Sequence, residues 1–299
     1  MNNNQQKWAY LIVLSLIWGS SFILIKKGLV GLTPMQLGAL RVIITGIILI
    51  AVGYKSLQSI SKNNWKWIVI SGLLGTFFPS FLFAYAETEV DSSVASILNS
   101  LVPLNTILFG FALFKITTTR RQTLGVIIGF VGTAVLIASG KQLNPDQNYF
   151  YAGFIILATV MYAINVNIIK KHLQEEKPMA IATGNFIAIM FPAIVILLFT
   201  NFFTEATLNN PKTVTALGYV LLLCVFGTAL AKVMFNKLVQ ISTPVFASSV
   251  TYLMTIVAVL WGALDGEKLS LIQILGGMII LLGVYLANRK KKKLKNYHK

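Results

Sequence analysis

Two cations stand inside apolar runs of the chain, where an ion is costly. Arg41 lies seven residues into the run 34–54, and Lys232 lies about six residues from the end of the run 215–238. A cation at mid-membrane depth costs roughly 2.5–3.5 kcal/mol on insertion scales, and function is one reason to keep it there. Snorkelling to an interface is the other. No Asp or Glu stands well inside such a run: Glu87 closes the third, and Glu267 falls in a loop. A carrier of lipophilic cations working by proton exchange wants a buried carboxylate. Buried positive charge suits a ligand with a carboxylate or another anion better. The expected chemistry is recognition, with Arg41 or Lys232 pairing with an anionic group.

The uncharged polar residues fall into faces. Ser92, Ser96, Asn99 and Pro103 follow one another at steps of four, three and four, which is one side of a helix. Ser248, Thr251 and Thr255 form the matching side of a later run. Such faces either wall a cavity or bond their own backbone and neighbouring helices. Pro103 is expected to kink its helix and free a carbonyl. Trp18 with Ser21, and Tyr162 with Asn165, are three residues apart and share a face. They offer aromatic walls and hydrogen bonds to a ligand, or plain packing. Asn185 and Asn236 complete the candidate binding set. Tyr85 and Trp261 sit at run ends and suit interfacial belts.

Catalysis finds no support. The two histidines, His172 and His298, fall in a loop and in the tail, and neither has partners at metal-ligand spacing. There is no Gly-rich phosphate loop, and the hydroxyls lack a histidine base within the apolar runs. No catalytic residue, metal or cofactor is expected.

The elements that must position these residues follow from composition. Of 299 residues, 56% are hydrophobic and 11% charged, against about 25% charged in soluble domains. About 20 mostly apolar residues cross a bilayer as a helix, and that length recurs ten times: 8–25, 34–54, 66–86, 93–114, 122–139, 151–169, 179–200, 215–238, 244–263 and 270–287. The expected fold is an all-α polytopic membrane protein with ten transmembrane helices, the first a retained helix with no cleavage site of the A-x-A kind. The net charge of +16 would suit nucleic acid, but the basic residues lie in short loops and in the tail. No nucleic-acid partner is expected. The single cysteine, Cys224, rules out a disulfide within the chain.

The runs repeat. A shift of 144 carries Lys26-Lys27 onto Lys170-Lys171, Pro34 onto Pro178, Trp18 onto Tyr162 and Arg41 onto Asn185. A shift of 152 carries Gly75-Thr76 onto Gly227-Thr228, Ser96 onto Ser248 and Gly110 onto Gly262. A shift of 151 carries Gln122 onto Gln273 and Gly125 onto Gly276. The expected domains are a first repeat over 1–140, a second over 141–288 and a basic cytoplasmic tail over 289–299. Five runs per repeat force the second copy to enter the membrane upside down, an arrangement of secondary transporters with a site at the repeat interface. Of the 25 Lys and Arg residues, 18 fall on one side, five on the other and two within runs. The positive-inside rule then places both termini in the cytoplasm.

Trp18-Gly19-Ser20-Ser21-Phe22 in the first run, Pro34 and Arg41 around the second, and Gly266-Glu267-Lys268-Leu269 leading to Gln273 and Gly276 have an order and spacing that resemble the drug/metabolite transporter superfamily, EamA type. The resemblance covers nearly the whole chain. It implies a multi-pass carrier of the bacterial inner membrane, often an exporter of amino acids or related metabolites, working by alternating access. One departure is Lys115, which stands where the second copy has Glu267. Two other readings stay open: multidrug efflux of amphipathic compounds, and exchange of phosphorylated metabolites. The expected partners are a small-molecule substrate and the bilayer. A monomer suffices because both halves are fused, and a homo-oligomer is left open.

Overall fold

The computed structural model describes residues 3–116, 119–143 and 148–288, and no strand occurs among them. Nine helices there are long and apolar enough to cross a membrane. They are α1 (Gln5–Gly28), α2 (Pro34–Ser59), α3 (Lys62–Ala86), α4 (Ser92–Phe114), α5 (Arg120–Ser139), α6 (Tyr149–His172), α7 (Pro178–Leu198), α8 (Pro211–Ile241) and α9 (Pro244–Leu264). A shorter apolar helix, α10, runs over Leu271–Ala287. The main difference from the sequence reading is length: α8 extends beyond both ends of 215–238, and at its start Pro211 begins the helix with its preset φ and without needing its missing N–H.

Helix starts follow local rules. Thr33 and Gln36 form a reciprocal capping box at α2: Gln36 N donates to Thr33 Oγ1 (3.3 Å) and Thr33 N to Gln36 Oε1 (3.0 Å). The same device opens α5 through Thr119 and Gln122, and α10 through Ser270 and Gln273. Gln122 and Gln273, matched by the repeat shift, thus do the same job.

Contacts come in corresponding pairs. Helix α1 packs on α9, and α6 on α4; α3 packs on α6 and α7, and α8 on α1 and α2. Helix α2 faces α7, and α5 faces α10. The α5–α10 pair is a backbone-to-backbone contact. A Cβ on Gly132 would stand 2.8 Å from the Gly276 carbonyl oxygen and 2.7 Å from the Ile280 nitrogen. Small residues permit that approach. Gly132→Leu is expected to cost about 1–3 kcal/mol through overpacking, seen as a lower thermal midpoint in detergent. An unchanged midpoint would show that the pair can part without cost.

Four helices are interrupted where they meet the centre of the bundle, α9 among them at Ser249. In α3 and α8 the backbone widens to i→i+5 turns at Leu73–Phe77 and Leu223–Leu230, which often marks functional positions. Helix α4 breaks at Ser100–Leu101, just before Pro103. Proline cannot donate to the carbonyl of Asn99, so the expected kink appears one turn upstream of it.

Candidate functional site

A cavity of about 110 Å³ lies where these interruptions converge. Arg41, Thr76, Thr228 and Lys232 supply its polar wall, and Phe22, Phe83, Phe235 and Met254 much of its apolar wall. Among the described residues no Asp or Glu lines it.

The two cations are held by the widened turns. Arg41 Nε donates to Thr228 Oγ1 at 3.0 Å. Thr228 Oγ1 in turn donates to the Leu223 carbonyl five residues back (3.1 Å). Among the described residues only Nε is engaged, so the two terminal nitrogens of the guanidinium fork are left for a ligand. On the other half, Lys232 Nζ donates to the Gly75 carbonyl (2.9 Å) and to Thr76 Oγ1 (3.0 Å). A Cβ on Gly75 would stand 2.8 Å from that Nζ, so glycine is needed for the lysine to reach the carbonyl. Trp18 Nε1 donates to the Gly227 carbonyl at 2.9 Å. Each widened turn therefore gives a carbonyl to a residue on the cavity wall. Lys232 is 6% exposed, and its two bonds to α3 offset part of the cost of holding an ammonium there.

The structure brings most of the candidate residues together. Trp18, Ser21, Arg41, Asn99, Tyr162, Asn165, Lys232, Ser248 and Thr251 all line the cavity. The hydroxyls of Ser21, Ser248 and Thr251 donate to their own helices, at Ile17, Val245 and Ser248, so they turn only oxygen lone pairs to the cavity. Both readings of those hydroxyls apply at once. Asn99 Oδ1 is buried with no partner. Asn165 Oδ1 accepts from Ser71 Oγ at 2.6 Å.

Three candidates lie elsewhere. Ser96 is buried in the α4–α9 contact, where its carbonyl accepts from Thr255 Oγ1 (3.1 Å). Asn185 fills the α3–α7 contact, where its amide nitrogen donates to the carbonyls of Ile68 (2.9 Å) and Ile181 (3.0 Å). Asn236 is fully buried and donates to the Pro178 carbonyl at 3.2 Å. Helical spacing marks a shared face but not which neighbour covers it. Thr76 and Thr228, which hold the cations, were missed as binding residues. Their signal was the repeated Gly-Thr pair.

Beyond the cavity, the loop between α9 and α10 folds onto the start of α4. The Glu267 carboxylate accepts from Lys26 Nζ (2.8 Å), from the backbone nitrogens of Ser92 (3.1 Å) and Ser93 (3.0 Å), and from both their hydroxyls (2.7 and 2.5 Å). A carboxylate on free N–H groups at a helix start is favourable. Asp265 pairs with Lys26 at 3.0 Å and with Lys27. Burial pushes the Glu267 carboxyl up, but the bonds from Lys26, Ser93 and Ser92 outweigh it and hold it below its ordinary value. The bond from Lys27 and that from Lys26 hold Asp265 low as well. Groups with depressed values stabilise the folded form above the ordinary carboxylate pKa of about 4 and lose that contribution as pH falls through their folded values. The loop is thus expected to loosen below about pH 4. Hydrogen exchange at the start of α4 that stays slow on acidification would contradict this.

The architecture is that of an all-α polytopic membrane protein with a central cavity lined by residues from both the N-terminal and the C-terminal part of the chain. The model of the EamA-like transporter family matches residues 6–138 and 150–289, and the chain belongs to that family. It is similar to the uncharacterized inner membrane transporter YedA of Escherichia coli K12, 27% identical over 286 residues that cover 94% of this chain and 90% of that one. It is also similar to the protein PecM of Dickeya dadantii, 28% identical over 290 residues that cover 92% of each. A crystal structure 16% identical in sequence superposes with a TM-score of 0.68 over 95% of this chain and 96% of that one, a likeness of fold. The protein is a membrane transporter.

Proposed function

We propose that the protein is a secondary carrier for small metabolites bearing a carboxylate, amino acids foremost, and that Arg41 and Lys232 hold the carboxylate. The observation that carries this is a cavity lined, among the described residues, by two cations and no acid. The guanidinium, fixed through Nε alone, offers a planar fork to a carboxylate. Asn99 adds an orphan acceptor at the broken end of the first part of α4, where free carbonyls carry partial negative charge. That pairing of cationic and acceptor groups suits a zwitterion.

Two inverted five-helix halves rocking about the cavity give alternating access. The double match of the family model and the corresponding helix contacts support two related halves. Helix α10 spans about 25 Å at 1.5 Å per residue, near the lower limit for a tenth crossing. The charge bias supports cytoplasmic termini, and the description of YedA supports the inner membrane. Export is the direction that the sequence resemblance implies.

The test is counterflow in proteoliposomes with labelled neutral and acidic amino acids beside a lipophilic cation. Accumulation of an amino acid, blocked by the unlabelled compound, is the expected result. Accumulation of the cation alone would overturn the carboxylate site and favour multidrug efflux on the aromatic wall. Two cations also suit a phosphate ester, and competition by phosphate esters would move the substrate to that class.

A further inference from the structure

Glu87 is a buried acid that substrate binding leaves unused. It follows directly on α3, is 7% exposed, and has neither carboxylate oxygen partnered. The charges around it come from three other elements: Glu267 before α10, Arg41 on α2 and Lys26 on α1. Neither cation is bonded to it. Lys26 is bound to Glu267 and Asp265, and Arg41 Nε to Thr228. An ionised carboxylate enclosed this way would have lost its water without gaining a bond, and a carboxyl in that position takes up a proton instead.

We propose that Glu87 is a proton-binding site of the seal made by Lys26, Asp265, Glu267, Ser92 and Ser93, and that the seal closes over Glu87 only when its carboxyl carries a proton. The proposal rests on the reading of the protein as an alternating-access carrier. Closure desolvates the acid and brings it near Glu267, and both effects favour the neutral form. Opening admits water, so the proton leaves to the solution on that face and the carboxylate is hydrated. No other reactant is needed.

Burial first, and then the Glu267 charge, hold Glu87 well above the ordinary carboxylate range in the closed form, while Arg41 and Lys26 pull it back only in part. A group raised in the closed form contributes to closure below its open-form value, and that contribution is lost as pH rises through its closed-form value. The seal therefore opens as the solution on that face becomes more alkaline, opposite in sign to the loosening of Asp265 and Glu267 in acid.

The experiment places one reporter thiol in the cavity, Phe22→Cys in a Cys224→Ser background, and labels it with a membrane-impermeant maleimide. Spheroplasts and inverted vesicles are labelled in parallel, so the face that responds is identified whatever the orientation. Each is compared with and without Glu87→Gln, which cancels the titration of the thiol itself. Labelling with Glu87 present is expected to rise with pH more steeply than in E87Q, by up to about tenfold per pH unit, the limit for one linked proton. E87Q is expected to stay slowly labelled throughout. Equal pH dependence in both would overturn the proposal. If E87Q fails to fold, infrared difference spectra of the carrier with Glu87 decide the matter: a protonated carboxyl band lost on raising pH supports the proposal, and its absence overturns it. Neither readout needs substrate, so a failed counterflow assay leaves this result independent.

Discussion

Replacing both Arg41 and Lys232 by glutamine is expected to lower counterflow of a carboxylate substrate by about a hundredfold or more. Hydrogen bonds to charged groups contribute about 1.5–3 kcal/mol each, and about 1.4 kcal/mol is a factor of ten in affinity. Each cation thus accounts for at least about one factor of ten. The single variants should differ. Lys232 already bonds Gly75 and Thr76, and a glutamine amide can keep part of that contact. Arg41 offers a fork that neither glutamine nor lysine reproduces, so Arg41→Lys should raise the half-saturating substrate concentration although charge is conserved. A double variant that transports at the original rate would remove the carboxylate site. Gain of lipophilic-cation transport by the same variant would show that the two charges act as a filter.

The second large effect is expected at Glu267. Its side chain is 2% exposed, and it accepts five hydrogen bonds from Lys26, Ser92 and Ser93. Glu267→Ala leaves the start of α4 uncapped and Lys26 with Asp265 alone. Breaking a buried pair by removing one partner costs about 3–5 kcal/mol. Because Lys26 is partly exposed, the low end applies, and the closed form should fall by about 3 kcal/mol, roughly a hundredfold in population. Spin labels at the start of α4 and in the α9–α10 loop should report a longer, broader distance distribution in this variant. A distribution unchanged from the parent would show that Asp265 and Lys27 suffice for the seal. Glu267→Gln should fall between the two, since its single amide oxygen can still accept from one of the Ser92 and Ser93 nitrogens, which the carboxylate engages with separate oxygens.

Both expectations depend on how far a linear pattern reveals a three-dimensional site. Arg41 and Lys232 were visible because an ion among apolar residues is costly wherever the chain folds. Trp18, Ser21, Tyr162 and Asn165 were visible through helical spacing and the repeat. Thr76 and Thr228 carry hydroxyls of the kind that helices commonly bond to their own carbonyls, so neither announced that it would meet a cation from the other half. Ser96, Asn185 and Asn236 show the converse. Their polarity marked them, but the helices that cover them come from distant parts of the chain and close them into contacts away from the cavity.

The linear chain alone carries the membrane-spanning helical architecture, the turns and caps that start the helices, and the presence of two cations with no acid beside them in the runs. Those properties depend on residue type and local spacing, which act over one or two turns of helix. Tertiary structure decided the rest. It widened α3 and α8 so that Gly75 and Gly227 give carbonyls to Lys232 and Trp18. It carried Glu267 across to the start of α4. It also buried Glu87, which in the sequence closes an apolar run at the water's edge, within reach of the charges of Lys26, Arg41 and Glu267. The physical reason is common to all three: the charge or bond that each group meets comes from the opposite half of the chain or from another helix, and no local pattern records that neighbour.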